Sequence, residues 1–600
     1  MRGTAERQLH PSPPDPLSHK GRGWRLSGRR VGAPTDAEQG RNSHREAALN
    51  LDIVVEPLRG TRLVRDYLAG EGSAPSFYAG SPFDLAAFRA KLEEVRGRFG
   101  RAERERAAAA LRPTSPAAAE RLARFVEEGG AMVTTGQQTG LFTGPLYTVH
   151  KILTAVRLAA ALERELGVVV LPVFWAASED HDWAEVDHAD VLDGQGAVRR
   201  IRLEGDDSIP LPMSDRTVGK GIDGALGELA DALSGQPFAD EYLKLLREAY
   251  RPDATFAGAF RETVESLFAP FDVLVTDAAD PALKRASADV LEGAVLRTRE
   301  HEALLRARTD ELLADGYHGQ VAVLADGANV FYHGPAGRER LYARGDRWVA
   351  RDARQSFTAE EIRAAVAADP ARFSPNVFLR PVVESAVFPT LAYVGGPGEM
   401  AYFAQLGPLF GEFGIRMPVV YPRFSVTVVS RGTERAMRRL GTSVAELDGP
   451  EHEVLRRLAR ERVPAEVAEA LRSLREGIAD GYRRLIDEAE AVDPTLRGAL
   501  GSLRNRSMLE AADAEKKIVS ALARTGEGVA RDVRLPRAEL RPHGEPQERV
   551  LTVFSFLAAH GPDLLTEIAA RMVVPLGSGD RVDAPAPVAE PVQDPRAALA

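Results

Sequence analysis

The chain has 600 residues, 44% hydrophobic and 27% charged, the balance of an ordinary globular protein too long for one hydrophobic core, so several units are expected. A formal net charge of −10 leaves no basic excess to neutralise phosphates, which argues against a general nucleic-acid or anionic-membrane binder and leaves room only for a local basic pocket. With no cysteine the chain has no disulfide, no thiolate nucleophile and no cysteine-ligated zinc, which fits a reducing compartment.

Residues 1–50 differ in character from the rest. The stretch "HPSPPDPLSHKGRGWRLSGRR" is rich in Pro, Gly and Arg and lacks the apolar segment of a signal peptide. It reads as a disordered extension, or as a start codon placed too early. The longest apolar run, Val168 to Ala177, has a strand's length rather than a membrane span's, and a cytoplasmic protein is expected.

Residues 51–195 hold an N-terminal segment and the first half of a sheet. Ala131-Met132-Val133 read as a strand, "TGQQTGLFTGP" (135–145) as a Gly-rich loop that is neither helix nor sheet, and "GPLYTVHKILTAVRLAAALERELG" as a helix stopped by Gly167. "VVVLPVFWA" follows, apolar on both faces, as a parallel sheet covered on both sides requires. A connecting insert is expected over 196–260, a core strand and helix over 261–290 around Phe271 to Asp277, and a second insert with β-like pieces such as "GQVAVLADGANVFYHG" over 291–380. Over 381–445, "AVFPTLAYVGGPGEMAYFAQLGPLFGEFGI" repeats the strand, glycine turn and helix, with "RMPVVYPRFSVTVV" as the next strand. Over 446–530, Val467, Leu471, Leu474, Ile478 and Leu485 recur at steps of four, three, four and seven, a heptad spacing that predicts an antiparallel helical coiled-coil arm. A narrow seam of this length commonly seeks its own copy; two helices packed on the body are the alternative. Residues 531–580 form a C-terminal segment and 581–600 a disordered tail.

Three stretches carry candidate chemistry. A Gly-rich loop between a parallel strand and a helix offers backbone amides and the positive helix end to an anion, so Gly136, Gln137, Gln138, Thr143 and Gly144 are candidates for holding phosphate, with His150 and Lys151 inside the helix. The loop matches neither the P-loop nor GxGxxG, and the same glycines suit a tight turn made for close packing. In "SEDHDWAEVDH", Glu179, Asp180, His181 and Asp182 are candidates for orienting an amine and acting as general base; a solvated acidic loop is the alternative. His181 and His188 have no distinctive metal-ligand spacing, and no metal is assigned. The turn at Gly395, Gly396 and Glu399 aims at the same crevice. Glu384 and Arg423 either complete that crevice or form structural ion pairs, and Trp175 joins Phe174 and Met400 as an apolar pocket wall.

Five motifs, "TGQQTGLFTGPLYTVHK", "PVFWAASEDHDWAEVDH", "PTLAYVGGPGEMAYFAQL", "MPVVYPRFSVTVV" and "LRPHGEPQERVL", resemble in order and spacing the bacillithiol biosynthesis cysteine-adding enzyme family (BshC, a cysteine ligase), from about Tyr78 to Val574. The resemblance implies an α/β fold: a Rossmann-like parallel core related to class I aminoacyl-tRNA synthetases, two connecting inserts, a coiled-coil arm and a homodimer. It implies addition of cysteine through its carboxyl group to the amine of glucosaminyl-malate, the last step of bacillithiol synthesis. The His-x-Gly-His signature of class I synthetases is absent, "GPLYTVHK" standing at the comparable helix start, so phosphate handling is not carried over. Amide formation from a carboxylate is uphill, so ATP is expected as activator. The malate carboxylates call for cations, for which Lys151, Arg423 and Arg541 are candidates. The alternatives are another nucleotide-dependent ligase or nucleotidyl transferase on the same fold, and a non-enzymatic coiled-coil protein whose sheet binds a nucleotide. No nucleic-acid or membrane partner is expected.

Overall fold

The computed structural model describes residues 51–205, 209–351, 354–525 and 527–577, and of 523–530 the backbone alone; the extension and the tail expected at the two ends lie outside the described residues. In chain order, strand β1 spans Leu51–Glu56, β2 Arg112–Pro113 and β3 Ala131–Gln138. Helix α1, Tyr147–Leu166, ends at Gly167 in the left-handed region with φ 65°, the usual helix stop. Strand β4, Val170–Ala177, carries seven buried residues in succession, which only a sheet covered on both faces accommodates. Among the described residues a β5–β6 hairpin (His188–Leu192 and Val198–Arg202) and four α-helices intervene before β7, Leu274–Asp277, and α2, Pro281–Leu296.

The core sheet has the order β14-β13-β3-β4-β7-β2, where β13 is Thr390–Gly395 and β14 Val419–Pro422. All neighbours are parallel except the β2–β7 pair. The chain builds outward from β3 through β4 to β7 and then returns to β13 on the other flank of β3. That reversal makes a switch point between β3 and β13, where the carboxyl ends of the strands open a crevice.

Four details differ from the sequence reading. Strand β3 runs on through Gln138, pairing Thr135, Gly136, Gln137 and Gln138 with Phe174, Trp175, Ala176 and Ala177, so the first half of the Gly-rich stretch is strand, its backbone held by the β4 ladder against its weak intrinsic propensity. The first excursion starts at the end of β4 rather than at 196. "RMPVVYPRFSVTVV" is two strands: β14 in the core, and β15, Ser425–Ser430, paired antiparallel with β1 from Leu51↔Ser430 to Glu56↔Ser425. Arg112–Pro113 adds an antiparallel edge to the core.

The second excursion folds into its own antiparallel sheet, β11-β10-β9-β8-β12, with β8 Gly327–Gly334, β9 Gly337–Arg344, β10 Arg347–Ala350, β11 Ser356–Phe357 and β12 Phe373–Pro375. It returns through α3, Arg380–Val387, to β13, and α4, Pro397–Phe403, follows. The arm is an antiparallel hairpin of α5, Ala465–Glu490, and α6, Leu496–Thr525: Arg475 pairs with Glu515, and Tyr482 Oη lies 3.1 Å from Ser507 Oγ. Its apolar residues divide between two faces. Ile486, Ala511 and Val519 are buried, whereas Leu474 and Leu485, expected in the same seam, are 47% and 50% exposed. Helix α7, Glu527–Leu540, returns the chain to the body.

Candidate active-site cleft

A cleft of about 820 Å³ opens at the switch point. Gly136, Gln137 and Gln138 from the end of β3, Trp175 from β4 and Gly396 and Glu399 after β13 form its floor, and Phe331, Arg338 and Asn376 from the second excursion form its roof.

The floor is held by buried ion pairs. Lys151, one turn into α1, donates to the Gly136 carbonyl at 3.0 Å and the Gln137 side chain at 2.9 Å, and its Nζ stands 2.5 Å from Glu399. Burial pulls the lysine down, against the pull of Glu399. Burial pushes Glu399 up, but Lys151, the Gly396 amide at 2.8 Å and the Tyr393 hydroxyl at 2.5 Å outweigh it and hold the carboxyl below its ordinary value. Arg423, between β14 and β15, makes a two-pronged bond to Glu548, both at 2.7 Å, the geometry that favours arginine over lysine. His150 Nδ1 lies 3.1 Å from the same carboxylate, and burial lowers the imidazole. Arg380 donates to Glu384 at 2.8 Å, and Thr134 hydrogen-bonds the other Glu384 oxygen. Glu384 and His150 lie behind the lining rather than in it.

The acidic run is divided by the fold. Gln138 uses both hydrogens of its carboxamide, donating to Asp180 at 2.7 Å and Glu185 at 2.8 Å, so two carboxylates face the cleft on one bridge. Burial raises Asp180, but Arg338, Gln138 and the His181 amide outweigh it and keep the group below its ordinary value. Glu185 stands on the rim, yet its carboxyl is pushed up, first by desolvation and then, against the Gln138 bond, by Asp180 and Asp182. Glu179 is buried and ion-paired with Lys284 of α2; burial still raises it. Asp182 caps the short helix Trp183–Val186 by accepting from the Glu185 amide at 3.3 Å. His181 Nδ1 accepts from Arg338 at 3.0 Å. Asp187 and His188 belong to the β5–β6 hairpin, where Arg202 donates to Asp187 at 2.8 Å. Among the described residues no group of three His, Asp or Glu is placed to hold a metal ion.

The second half of the Gly-rich stretch turns away from the cleft. Leu141, Phe142 and Thr143 are buried in a 3₁₀ turn, the Phe142 amide donates to Tyr250 Oη at 2.9 Å, and the Leu146 amide at the helix entrance donates to the Leu551 carbonyl at 2.9 Å. A Cβ on Gly140 would stand 2.9 Å from the Gly144 Cα, so these glycines serve close packing. Of the residues expected to hold phosphate, Gly136, Gln137 and Gln138 line the cleft, whereas Thr143 and Gly144 lie outside its lining and the Gly144 amide already donates to the Leu141 carbonyl at 2.9 Å. Arg541 also lies elsewhere: it pairs with Asp448 and, at 3.3 Å, with Glu56, tying α7 to β1. Phe174, one residue before Trp175 in β4, faces the opposite side of the sheet against Phe260, while Trp175 packs toward Phe388, as strand alternation requires. Met400 is buried outside the lining, so of the three proposed pocket residues only Trp175 reaches the cleft. Its indole N–H is buried with no acceptor among the described residues.

Sequence reasoning missed Arg338, Arg380 and the role of Glu185. Arg380 and Glu384 sit at i and i+4, a spacing that signals a helical ion pair. Arg338, in "HGPAGRERLYAR", carries no such signal; only the fold of the second excursion brings it over the cleft.

The order of these elements has close counterparts. Residues 51–424 match the family description "Bacillithiol biosynthesis BshC, N-terminal Rossmann-like domain", and residues 426–574 match "Bacillithiol biosynthesis BshC, C-terminal coiled-coil domain". The chain is 34% identical over 511 residues to a protein of Solibacter usitatus, covering 85% of this chain and 94% of that relative. It is 32% identical over 516 residues to one of Koribacter versatilis (84% and 94%) and 31% identical over 528 residues to one of Geobacillus kaustophilus (85% and 95%). Each of the three is named "Putative cysteine ligase BshC". With the switch-point sheet matched by the first domain and the helical hairpin by the second, the chain belongs to the bacillithiol biosynthesis BshC family.

Proposed function

We propose that the cleft joins the carboxyl group of cysteine to the amine of glucosaminyl-malate, the final step of bacillithiol synthesis. The name of the relatives supports the donor and the reaction class. The observation that carries the chemistry is the Asp180–Gln138–Glu185 bridge. An amine is an ammonium at neutral pH and must lose a proton before it attacks. Asp180, kept ionised, holds that ammonium by charge; Glu185, with its raised carboxyl, is the better proton acceptor of the pair. The amine lone pair then forms the C–N bond at the acyl carbon and the leaving group departs with its electron pair; the ammonium's first proton stays on Glu185, and the second, which the nitrogen sheds as the amide forms, leaves with the departing group or to solvent.

Amide formation from a free carboxylate is uphill, so ATP is proposed as the activator. The buried turn Leu141–Thr143 does not fit its phosphates, since the Phe142 and Gly144 amides are already bonded, and no step is assigned to that turn. Self-association is proposed through the outer face of the arm, where Leu474, Leu485, Leu503 and Leu509 are 44–67% exposed.

The test is direct. Purified protein incubated with cysteine, glucosaminyl-malate and ATP is expected to yield a product of the mass of the amide, and none without ATP. Unchanged substrates by mass spectrometry would refute the ligase reading; product without nucleotide would refute the activator.

A further inference from the structure

We infer that Arg338 is the specificity-determining residue that recognises a carboxylate which the amine-bearing acceptor keeps throughout the reaction; this rests on the ligase reading above. The cations around the cleft differ in what they already hold. Lys151, Arg380 and Arg423 each contact a carboxylate directly, at 2.5, 2.8 and 2.7 Å, so their charge is spent within the protein. Arg549 lines the rim with its side chain 53% exposed, where a charge is screened and its side chain must be ordered to bind. Arg338 is 7% exposed, and its nearest carboxylate, Asp180, is 4.0 Å away. Asp180 has its own closer partners in Gln138 and the His181 amide.

The guanidinium is also pre-set. Its Nε donates to Ser374 Oγ at 3.0 Å, Nη1 to His181 Nδ1 at 3.0 Å and Nη2 to the Pro375 carbonyl at 3.3 Å, and it lies 3.8 Å above the Phe331 ring. Of the five N–H groups of an arginine, one therefore remains on each terminal nitrogen, the pair that grips a carboxylate with two parallel bonds. Held rigid, it loses little entropy on binding. The carboxyl group that reacts gives up its charge on becoming an acyl group, and a fixed cation bound to it would stabilise the ground state over the transition state. A permanent cation suits a carboxylate that stays ionised, which the acceptor supplies.

The experiment compares wild type, Arg338→Gln and Arg338→Lys in the full chain, with thermal denaturation to verify folding. Arg338→Gln is expected to raise the acceptor KM about 10–100-fold and leave the cysteine KM unchanged, with Arg338→Lys intermediate. Glucosamine, which has the amine but no carboxylate, should be a poor acceptor whose use Arg338→Gln lowers much less than it lowers use of the full acceptor. A rise in the cysteine KM alone, or an equal loss with glucosamine, would overturn the assignment. Calorimetric titration with succinate separates this inference from the ligase reading, because it needs no turnover. If wild type makes no amide yet binds succinate at least tenfold more tightly than Arg338→Gln, the carboxylate site stands without the ligase; equal binding overturns it.

Discussion

On the floor of the cleft Lys151, Arg380 and Arg423 meet Glu399, Glu384 and Glu548, whereas on the roof Arg338 stands 4.0 Å from Asp180. Two of the floor's ion pairs join elements far apart in sequence, Arg423 and Glu548 being 125 residues apart, while Arg380 and Glu384 pair within α3. Such pairs hold shape. Their mutual attraction offsets desolvation, and removing one partner strands the other in a medium that penalises it. The roof comes from an excursion with its own sheet and holds its cation with neutral acceptors and an aromatic face. That cation acts on Asp180 across 4.0 Å but bonds no carboxylate directly among the described residues.

The largest expected effect falls on the acidic wall. Asp180→Asn with Glu185→Gln should lower kcat about 10²–10⁴-fold with the melting temperature little changed, because neither group is part of a floor ion pair. Unaltered turnover at saturating cysteine would return the wall to a solvated loop.

A floor substitution should show the opposite signature. Glu548→Ala strands Arg423 and is expected to cost about 3–5 kcal/mol of stability, seen in denaturant or thermal unfolding. The pH dependence has a definite sign. Burial pushes Glu548 up, but Arg423 and His150 hold it well below the usual carboxylate range. A depressed carboxyl contributes stability that is full above its unfolded value, about 4.3, and is lost as pH falls through the folded value. Glu548→Gln should therefore flatten the acid limb of the stability curve; an unchanged limb would break the distinction between floor and roof.

A smaller shift should mark the proposed proton acceptor. Because Glu185 is raised, the acid limb of kcat/KM should lie above the ordinary carboxylate range and disappear in Glu185→Gln. A limb that persists in this variant belongs to another group.

The smallest effect concerns the arm, which resembles neither floor nor roof, since Leu474, Leu485, Leu503 and Leu509 stay 44–67% exposed. Burying a leucine contributes about 1.5–3 kcal/mol before association costs, so Leu474→Glu with Leu485→Glu should convert a dimer to a monomer in light scattering and leave the fold intact. A wild-type monomer at micromolar concentration would remove the dimer.

The sequence made the sheet legible because its strands are continuously apolar. The rule that places a crevice at the carboxyl ends of parallel strands then brought Gly136, Gln138, Asp180 and Glu399 to one region. It misjudged where partners act at a distance. The loop amides at Phe142 and Leu146 bond to Tyr250 and Leu551, and Arg541 finds Glu56 across 485 residues; neither distance leaves a local mark. The arm was misread for a related reason. The heptad spacing of Leu471, Leu474, Ile478 and Leu485 describes a narrow seam, but Leu474 and Leu485 are 47% and 50% exposed while the neighbouring Ile486 is buried, and spacing alone does not say which side of the helix its partner covers.

The pairing of β1 with β15 sets the order in which the protein can be made. Six residues at Leu51–Glu56 must wait for Ser425–Ser430, and at about 5–20 residues per second of synthesis that delay is roughly 20–70 s. Through that interval the nascent segment "LDIVVE" offers an unpaired edge while the core sheet assembles without it. Its alternation, with Leu51 and Ile53 buried and Asp52 exposed in the finished chain, places an acid within an otherwise adhesive strand, the kind of charge that discourages edge-to-edge pairing between neighbouring chains on a polysome.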